Sequence, residues 1–305
     1  MRLVVTGHGG QVTSALVERG RAAGVDIATI GRPEFDLGRP ETVRPALAAA
    51  RPDVIVSAAA HTAVDRAESE PDLAFAINAV GAGAVAEAAA DLGVPVIHLS
   101  TDYVFDGSKP TPWSEDDPTG PLGVYGASKL AGERAVLAAG GRAVVLRVAW
   151  VHSPFGANFV KTMLRLAATM DRVRVVADQI GAPTSAFDLA DGLLAVAGNL
   201  LARPGEADLG GVFHMGAGGP DASWADVAEA IFAGSAARGG PSATVERITT
   251  AEYPTPARRP ARSRLGSERL ARIHGIVLPD WRVSLGLVLD RSIGAGETIS
   301  ARGRA

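Results

Sequence analysis

The chain has 305 residues, a formal net charge of −3, 47% hydrophobic and 21% charged residues, and no cysteine. That length supports a large core in one or two domains, with two favoured. Arginines dispersed among acids argue against a nucleic-acid binder, and the missing cysteines exclude disulfides, thiolate metal sites and cysteine nucleophiles. Glycine comes too early in Met1-Arg2-Leu3-Val4-Val5-Thr6-Gly7 for a secretory leader, and no apolar run approaches a membrane span, so a cytoplasmic protein with no membrane partner is expected.

Leu3-Val4-Val5 reads as a strand, Thr6-Gly7-His8-Gly9-Gly10-Gln11 as a glycine turn, and the residues from Val12 onward as a helix. Gly7 and Gly10 allow the backbone, with Gln11 and Val12, to approach a pyrophosphate favoured by the helix N-terminus; a plain structural turn has the same appearance. Thr13 stands where a Gly-x-x-Gly-x-x-Gly pattern places its last glycine. Asp26 to Ile30 reads as a second strand, leading to Arg32 and to Phe35-Asp36-Leu37, where a dinucleotide fold reads the adenosine end. Arg32 suits a 2′-phosphate and tilts the cofactor towards NADPH, with NADH possible and a solvated loop arginine the alternative.

A helix over about Pro40 to Ala50, a strand from Asp53 and the small residues Ala58, Ala59, Ala60 and Thr62 follow, then a long alanine-rich helix from Asp72 to Leu92 and a strand at Val94 to Leu99. This alternation is that of a parallel sheet covered on both faces. Ser100 and Thr101 fall at its carboxyl edge, where ligands bind in open α/β sheets. After a proline-rich loop, Tyr125-Gly126-Ala127-Ser128-Lys129 places a phenol and an ammonium on one helical face. Such pairs are common on solvated helices; here the order of glycine turn, strand-end hydroxyl and Tyr-x-x-x-Lys points to general-acid chemistry on a carbonyl.

A fifth strand at Ala143 to Val148 enters Trp150, after which alternation loosens through Val173 to Val176, a helix near Ser185 to Leu201, Gly211 to Met215, a helix start at Asp221 to Trp224 and a helix near Asp280 to Arg291. We expect an α/β protein: a Rossmann-type doubly wound parallel sheet with a smaller, discontinuous C-terminal substrate-binding domain. The dinucleotide domain is residues 1–150, completed by about 185–212; the cap is 151–184 and 213–292; 293–305 reads as a disordered tail. Arg258, Arg259, Arg262 and Arg264 read either as a solvated charged loop or as a clamp for a substrate pyrophosphate. The six histidines show no metal-ligand spacing.

Together these residues resemble the extended short-chain dehydrogenase/reductase family and, within it, the dTDP-4-dehydrorhamnose reductases, over nearly the whole chain to about Asp290. The segments that carry the likeness are Gly7 to Gln11, Phe35-Asp36-Leu37, Ala58 to Glu68, Ser100 to Gly107, Tyr125 to Lys129, Asp178 to Thr184 and Pro256 to Pro260. Thr13, His61 and Ser57 depart from the family's usual glycine, tyrosine and asparagine. The resemblance implies reduction of the C4 ketone of a nucleotide-linked 6-deoxy-4-ketohexose by NADPH or NADH, in a monomer or homodimer. It implies Tyr125 as proton donor, Lys129 as depressing the phenol's pKa and binding the nicotinamide ribose, and Thr101 as hydrogen-bonding the ketone. It implies Asp102, Tyr103 and Trp150 at the sugar, and it assigns the arginine cluster, with Arg258 and Arg259, to the substrate. A 4,6-dehydratase fits less well, because Tyr103 stands where that enzyme needs an acid; an epimerase, another deoxysugar reductase and a noncatalytic NADP-binding regulatory subunit are the remaining rivals.

Overall fold

The computed structural model describes residues 1–294. Its main sheet comprises β1 (Arg2–Thr6), β2 (Asp26–Ile30), β3 (Val54–Ser57), β4 (Val96–Thr101), β5 (Ala143–Val148) and β6 (Gly211–His214). All neighbours are parallel, in the spatial order β6, β5, β4, β3, β1, β2. Every residue of β3, β4 and β5 is buried, which is why these strands read as mainly apolar without an alternating exposed face.

One face is covered by α1 (Gln11–Ala22) and α6 (Ala186–Ala202), whose Leu16, Leu189 and Leu193 pack against Leu3, Val56 and Ile97. The other carries α2 (Val43–Ala50), α3 (Pro71–Leu92) and α4 (Val124–Ala138), with Leu47, Val85 and Val136 against Val4, Ile55 and Val145. The order reverses between β1 and β3: the chain leaves β1 for β2 on one side and returns to β3 on the other. Such a reversal opens a crevice at the carboxyl ends of the strands. Ser185 caps α6 on its face of the sheet, and β4 begins at Val96 because Pro95 has no N–H to enter the ladder.

Beyond β5 a second core forms around α5 (Phe159–Ala167), α7 (Trp224–Ala236) and α9 (Trp281–Gly294), packed on a parallel pair, Arg172–Val176 with Thr244–Ile248. A shorter helix, α8 (Glu268–His274), joins the first core through Leu270. Asn158 and Ser223 cap α5 and α7 with their side chains, Ser223 in a reciprocal capping box with Asp226. The segment Ala257 to Leu265 leaves this cap and runs beside the sheet domain, where Trp113 donates from its backbone N–H to Arg264 O at 2.8 Å and from its indole to Arg262 O at 3.0 Å.

Three expectations need correction. The helix expected from Pro40 opens as a 3₁₀ turn, Pro40–Thr42, before α2 proper. Ile293 and Gly294, assigned to the tail, belong to α9, and the rest of that tail lies outside the described residues. Finally, α3 is long and apolar enough to cross a membrane by length and composition, a stretch the sequence reading passed over; more than half of it is buried against the sheet and α4. Its apolar character therefore serves the core.

Within α3, Ala76–Gly81 is wound as a π-helix, and Gly132 explains the close fit of α4 there. A Cβ on Gly132 would stand 2.0 Å from the backbone oxygen of Asn78. A carbonyl on a packed helix cannot swing aside as a side chain can. Gly132→Ala is expected to cost about 1–3 kcal/mol of stability by overpacking, read as a lowered denaturant midpoint; an unchanged midpoint would show that the two helices separate freely.

Candidate active site

Thr101 ends β4 and caps the following 3₁₀ turn, Asp102–Val104: its hydroxyl accepts from Tyr103 N at 3.2 Å and donates to Asp102 Oδ1 at 3.0 Å. Tyr125 lies in the first turn of α4, beside this hydroxyl, and its ring meets Tyr103 edge-on at 5.5 Å between centroids. The approach is close because position 126 is glycine; a Cβ there would stand 2.1 Å from Tyr103 O. The structure thus brings Thr101, Asp102, Tyr103, Tyr125 and Lys129 to one sheet edge.

Burial sets the electrostatics of this group. It pushes the Tyr125 phenol up to about 12, with a hydrogen bond shared with Thr101 opposing the rise and Asp102 adding to it. Burial also raises Asp102 to about 6, against hydrogen bonds that include those from Ser263 and Thr101. Lys129 is lowered to about 8, again by burial, with the carboxylate of Glu133 working the other way. Its Nζ donates to Leu99 O at 2.6 Å and lies 3.1 Å from His98 Nε2. In this arrangement the Lys129 ammonium is directed into the sheet edge, and burial holds the Tyr125 phenol in its protonated form.

His98 was not singled out in the sequence. An ammonium donates only, so Nε2 must accept, which leaves the proton on Nδ1, 3.1 Å from Ser57 Oγ. Burial and the neighbouring Lys129 hold this imidazole well below its ordinary pKa, so it is a neutral acceptor. A histidine inside an apolar run gives no signal of such a role until the fold places a lysine against it.

The crevice between β1 and β3 has the form of a dinucleotide cradle. Gly7 has φ +93°, in the region that favours glycine, and the position of a Cβ on Gly9 has nothing within 4 Å. Gly10 is the N-cap of α1 and supplies no capping side chain, which leaves the helix N-terminus, with Gln11 and Val12, open to a phosphate. Thr6 Oγ1 accepts from Ala58 N and Ala59 N at 3.0 and 2.9 Å and so fixes the facing wall, Ala58 to Ala60. Thr13, in place of the last glycine, is buried with its hydroxyl beneath Gly7 and Gly10. Arg32 is exposed past the end of β2, and Thr62 is exposed past Ala60.

Four of the expected cofactor or substrate residues make other contacts within the chain. Gln11 Oε1 accepts from Ser153 Oγ at 2.8 Å and Asn158 Nδ2 at 3.0 Å, so its side chain ties α1 to the loop after β5. Asp36 accepts from Gly38 N at 2.9 Å, a local turn bond, and Leu37 is a core side chain against α3. Trp150, expected at the sugar, has one face stacked on Trp224 at 3.6 Å between ring centroids, with φ +48°.

The arginine cluster divides. Arg264 donates to Gly219 O at 2.9 Å, Arg258 is exposed, and Arg259 forms a two-pronged pair with Asp65 at 2.8 and 3.1 Å. Arg259 also lines a cleft of about 310 Å³ together with Arg174, Phe159, Met163, Trp224 and Tyr253, an apolar basin with two cations at its rim that sequence spacing does not foreshadow. Among the described residues no cluster of acidic residues and histidines could hold a metal.

Comparison with known proteins agrees with this geometry. Residues 1–293 match the family model described as RmlD substrate binding domain. A dTDP-4-dehydrorhamnose reductase of Sinorhizobium fredii is 54% identical over 284 residues, covering 93% of this chain and 95% of that protein. The crystal structure of a dTDP-4-dehydrorhamnose reductase from Clostridium acetobutylicum superposes with a TM-score of 0.86 at 35% identity, covering 95% and 99% of the two chains. That of Bacillus anthracis, in complex with NADP, gives 0.86 at 34%, covering 94% and 98%. The chain belongs to the dTDP-4-dehydrorhamnose reductase (RmlD) family.

Proposed function

We propose that this enzyme reduces the C4 ketone of dTDP-4-dehydro-L-rhamnose to dTDP-L-rhamnose, with NADPH the preferred donor and NADH an acceptable one. The observation that carries the reading is the meeting of Thr101, Tyr125 and Lys129 at the carboxyl edge of β4, beside a glycine cradle, in a chain 54% identical to a reductase of that name. Gly7, Gly10, the main chain of Gln11 and Val12, and Ala58 to Ala60 hold the dinucleotide, and Arg32 suits its 2′-phosphate. A relative solved with NADP supports that preference. Hydride comes from the bound nicotinamide.

Tyr125 gives its proton to the oxygen as charge develops there. An alkoxide is a base comparable with hydroxide, whose conjugate acid titrates at about 15.7, so a phenol at about 12 transfers its proton downhill. Burial, which makes the phenol weak before reaction, is also what strengthens every bond to the nascent oxyanion. Thr101 contributes its hydroxyl, and Lys129 a cation four residues along the same helix face. Asp102, Tyr103 and Trp150 border the sugar. Arg259 and Arg258 face the diphosphate, with the 310 Å³ cleft beside Arg259 taking the nucleoside.

Purified protein is expected to consume NADPH in a 1:1 ratio with dTDP-4-dehydrorhamnose, measured as loss of reduced-nicotinamide absorbance; recycling of the cofactor would indicate an epimerase instead. Tyr125→Phe is expected to lower kcat by about 100-fold or more while leaving the circular-dichroism spectrum unchanged.

Lys129 is charged below about pH 8 and neutral above it, whereas Tyr125 keeps its proton to about 12. A reaction that needs the ammonium is therefore level below pH 8 and loses rate as pH rises through that value. The profile of kcat/KM should show this limb, and Lys129→Arg should remove it; a profile flat to pH 10, about two units past the lysine, would exclude the role.

A further inference from the structure

Glu68 lies in the Ala58 to Glu68 segment, yet the catalysis and binding described above do not use it. Its Oε1 accepts from Val124 N at 2.8 Å, across 56 positions of sequence. Val124 is the first residue of α4, and the N-cap of that helix is Gly123, which makes no side-chain cap bond; the first turn contains no acidic residue. The leading N–H groups of a helix lack intrahelical partners and carry a partial positive charge. A carboxylate brought from elsewhere in the chain answers both needs.

Gly123 gives an independent sign of the same arrangement. Its backbone is extended, with φ −149° and ψ 175°, which any residue adopts. What glycine provides there is room, because a Cβ would stand 2.5 Å from Glu68 Oε1. The segment that presents Glu68 is itself anchored: His61 N donates to Asn78 Oδ1 at 2.7 Å, Asp65 pairs with Arg259 at 2.8 Å, and Ala67 is fully buried. Tyr125 directly follows Val124, and on its far side Gly126 abuts Tyr103 O.

We propose that Glu68 is a positioning residue for Tyr125: its carboxylate caps α4 in place of an N-cap side chain and fixes how far the phenol reaches into the site. The inference rests on the reductase reading above. Without the bond the first turn of α4 is free to fray, and a displacement near 1 Å at a reacting group costs up to about 100-fold in rate.

The test compares Glu68→Ala, Glu68→Gln and the double variant Glu68→Ala with Gly123→Ser against the parent. The measurements are kcat, KM for NADPH and amide hydrogen exchange over Val124 to Ser128. Glu68→Ala is expected to lose about tenfold or more in kcat, at an unchanged KM for NADPH, with faster exchange in that first turn. Glu68→Gln retains an acceptor oxygen and should stay within about threefold of the parent. In the double variant the serine hydroxyl caps the helix from its own N-cap position, in the space the carboxylate vacated, and should recover most of the lost rate. A kcat for Glu68→Ala within about twofold of the parent, a loss confined to KM, unchanged exchange, or no recovery in the double variant would overturn the proposal. Should Glu68→Ala fail to fold, Gly123→Ala in the parent displaces the carboxylate and has the same expected effects. A parent that turns over no ketosugar would refute the reductase reading, and hydrogen exchange would still decide whether Glu68 caps the helix.

Discussion

The catalytic helix α4 is held by contact of backbone with backbone. Gly126 lies against Tyr103 O and Gly132 against Asn78 O, at distances no side chain could share. The helix carries Tyr125 just before the first of these points and Lys129 between them, and just beyond the second Glu133 forms a buried two-pronged pair with Arg147 of β5 at 2.7 and 2.9 Å. Removing one partner of such a pair costs about 3–5 kcal/mol, because the other is left charged and unmatched. The depth of the phenol, the aim of the ammonium and the line of the sheet edge all follow from the position of this helix. Asn78 adds to it from the π-turn of α3, its amide reaching Ser128 Oγ at 3.0 Å and His61 O at 3.0 Å.

One environment produces three opposite-looking titration shifts at the site. Burial penalises charge, so it raises an acid such as Asp102, raises the Tyr125 phenol and lowers the Lys129 ammonium. The result is a phenol that gives up its proton only to a base stronger than its own phenolate. Thr101 has a single hydroxyl proton, which it directs to Asp102 Oδ1 while accepting from Tyr103 N. A ketone that takes a hydrogen bond from Thr101 therefore takes it in competition with Asp102, which links the carboxylate to substrate geometry through one shared proton.

Much of this was legible before the fold was known, because strands buried on both faces, a glycine turn opening a helix and a Tyr-x-x-x-Lys spacing each leave a local pattern. The alternation of elements indicated the parallel sheet, and the position of Thr101 after an apolar run placed it at the ligand edge. What escaped were facts of long-range contact. Glu68 and Val124 are 56 positions apart, Gln11 and Asn158 are 147 apart, and no periodicity links them. Leu37 looked like a cofactor residue because of its neighbours in sequence, whereas Gly81 draws α3 onto it and makes it core. The apolar length of α3 is inconspicuous because it is built largely of alanine and glycine, which are weakly hydrophobic singly.

Trp150 shows how the orientation of one side chain can be set from positions other than its own. Its ring is pinned from behind: Trp224 stacks on it at 3.6 Å, and a Cβ on Gly181 would stand 2.8 Å from its Cε2. Its left-handed φ of +48° is a conformation that costs a bulky residue about 1–3 kcal/mol and persists because its surroundings enforce it. Selection acting on the orientation of this ring therefore need not touch Trp150 itself. Changes at Gly181 or Trp224 would tilt the same ring, so its orientation can drift without any change at Thr101, Tyr125 or Lys129.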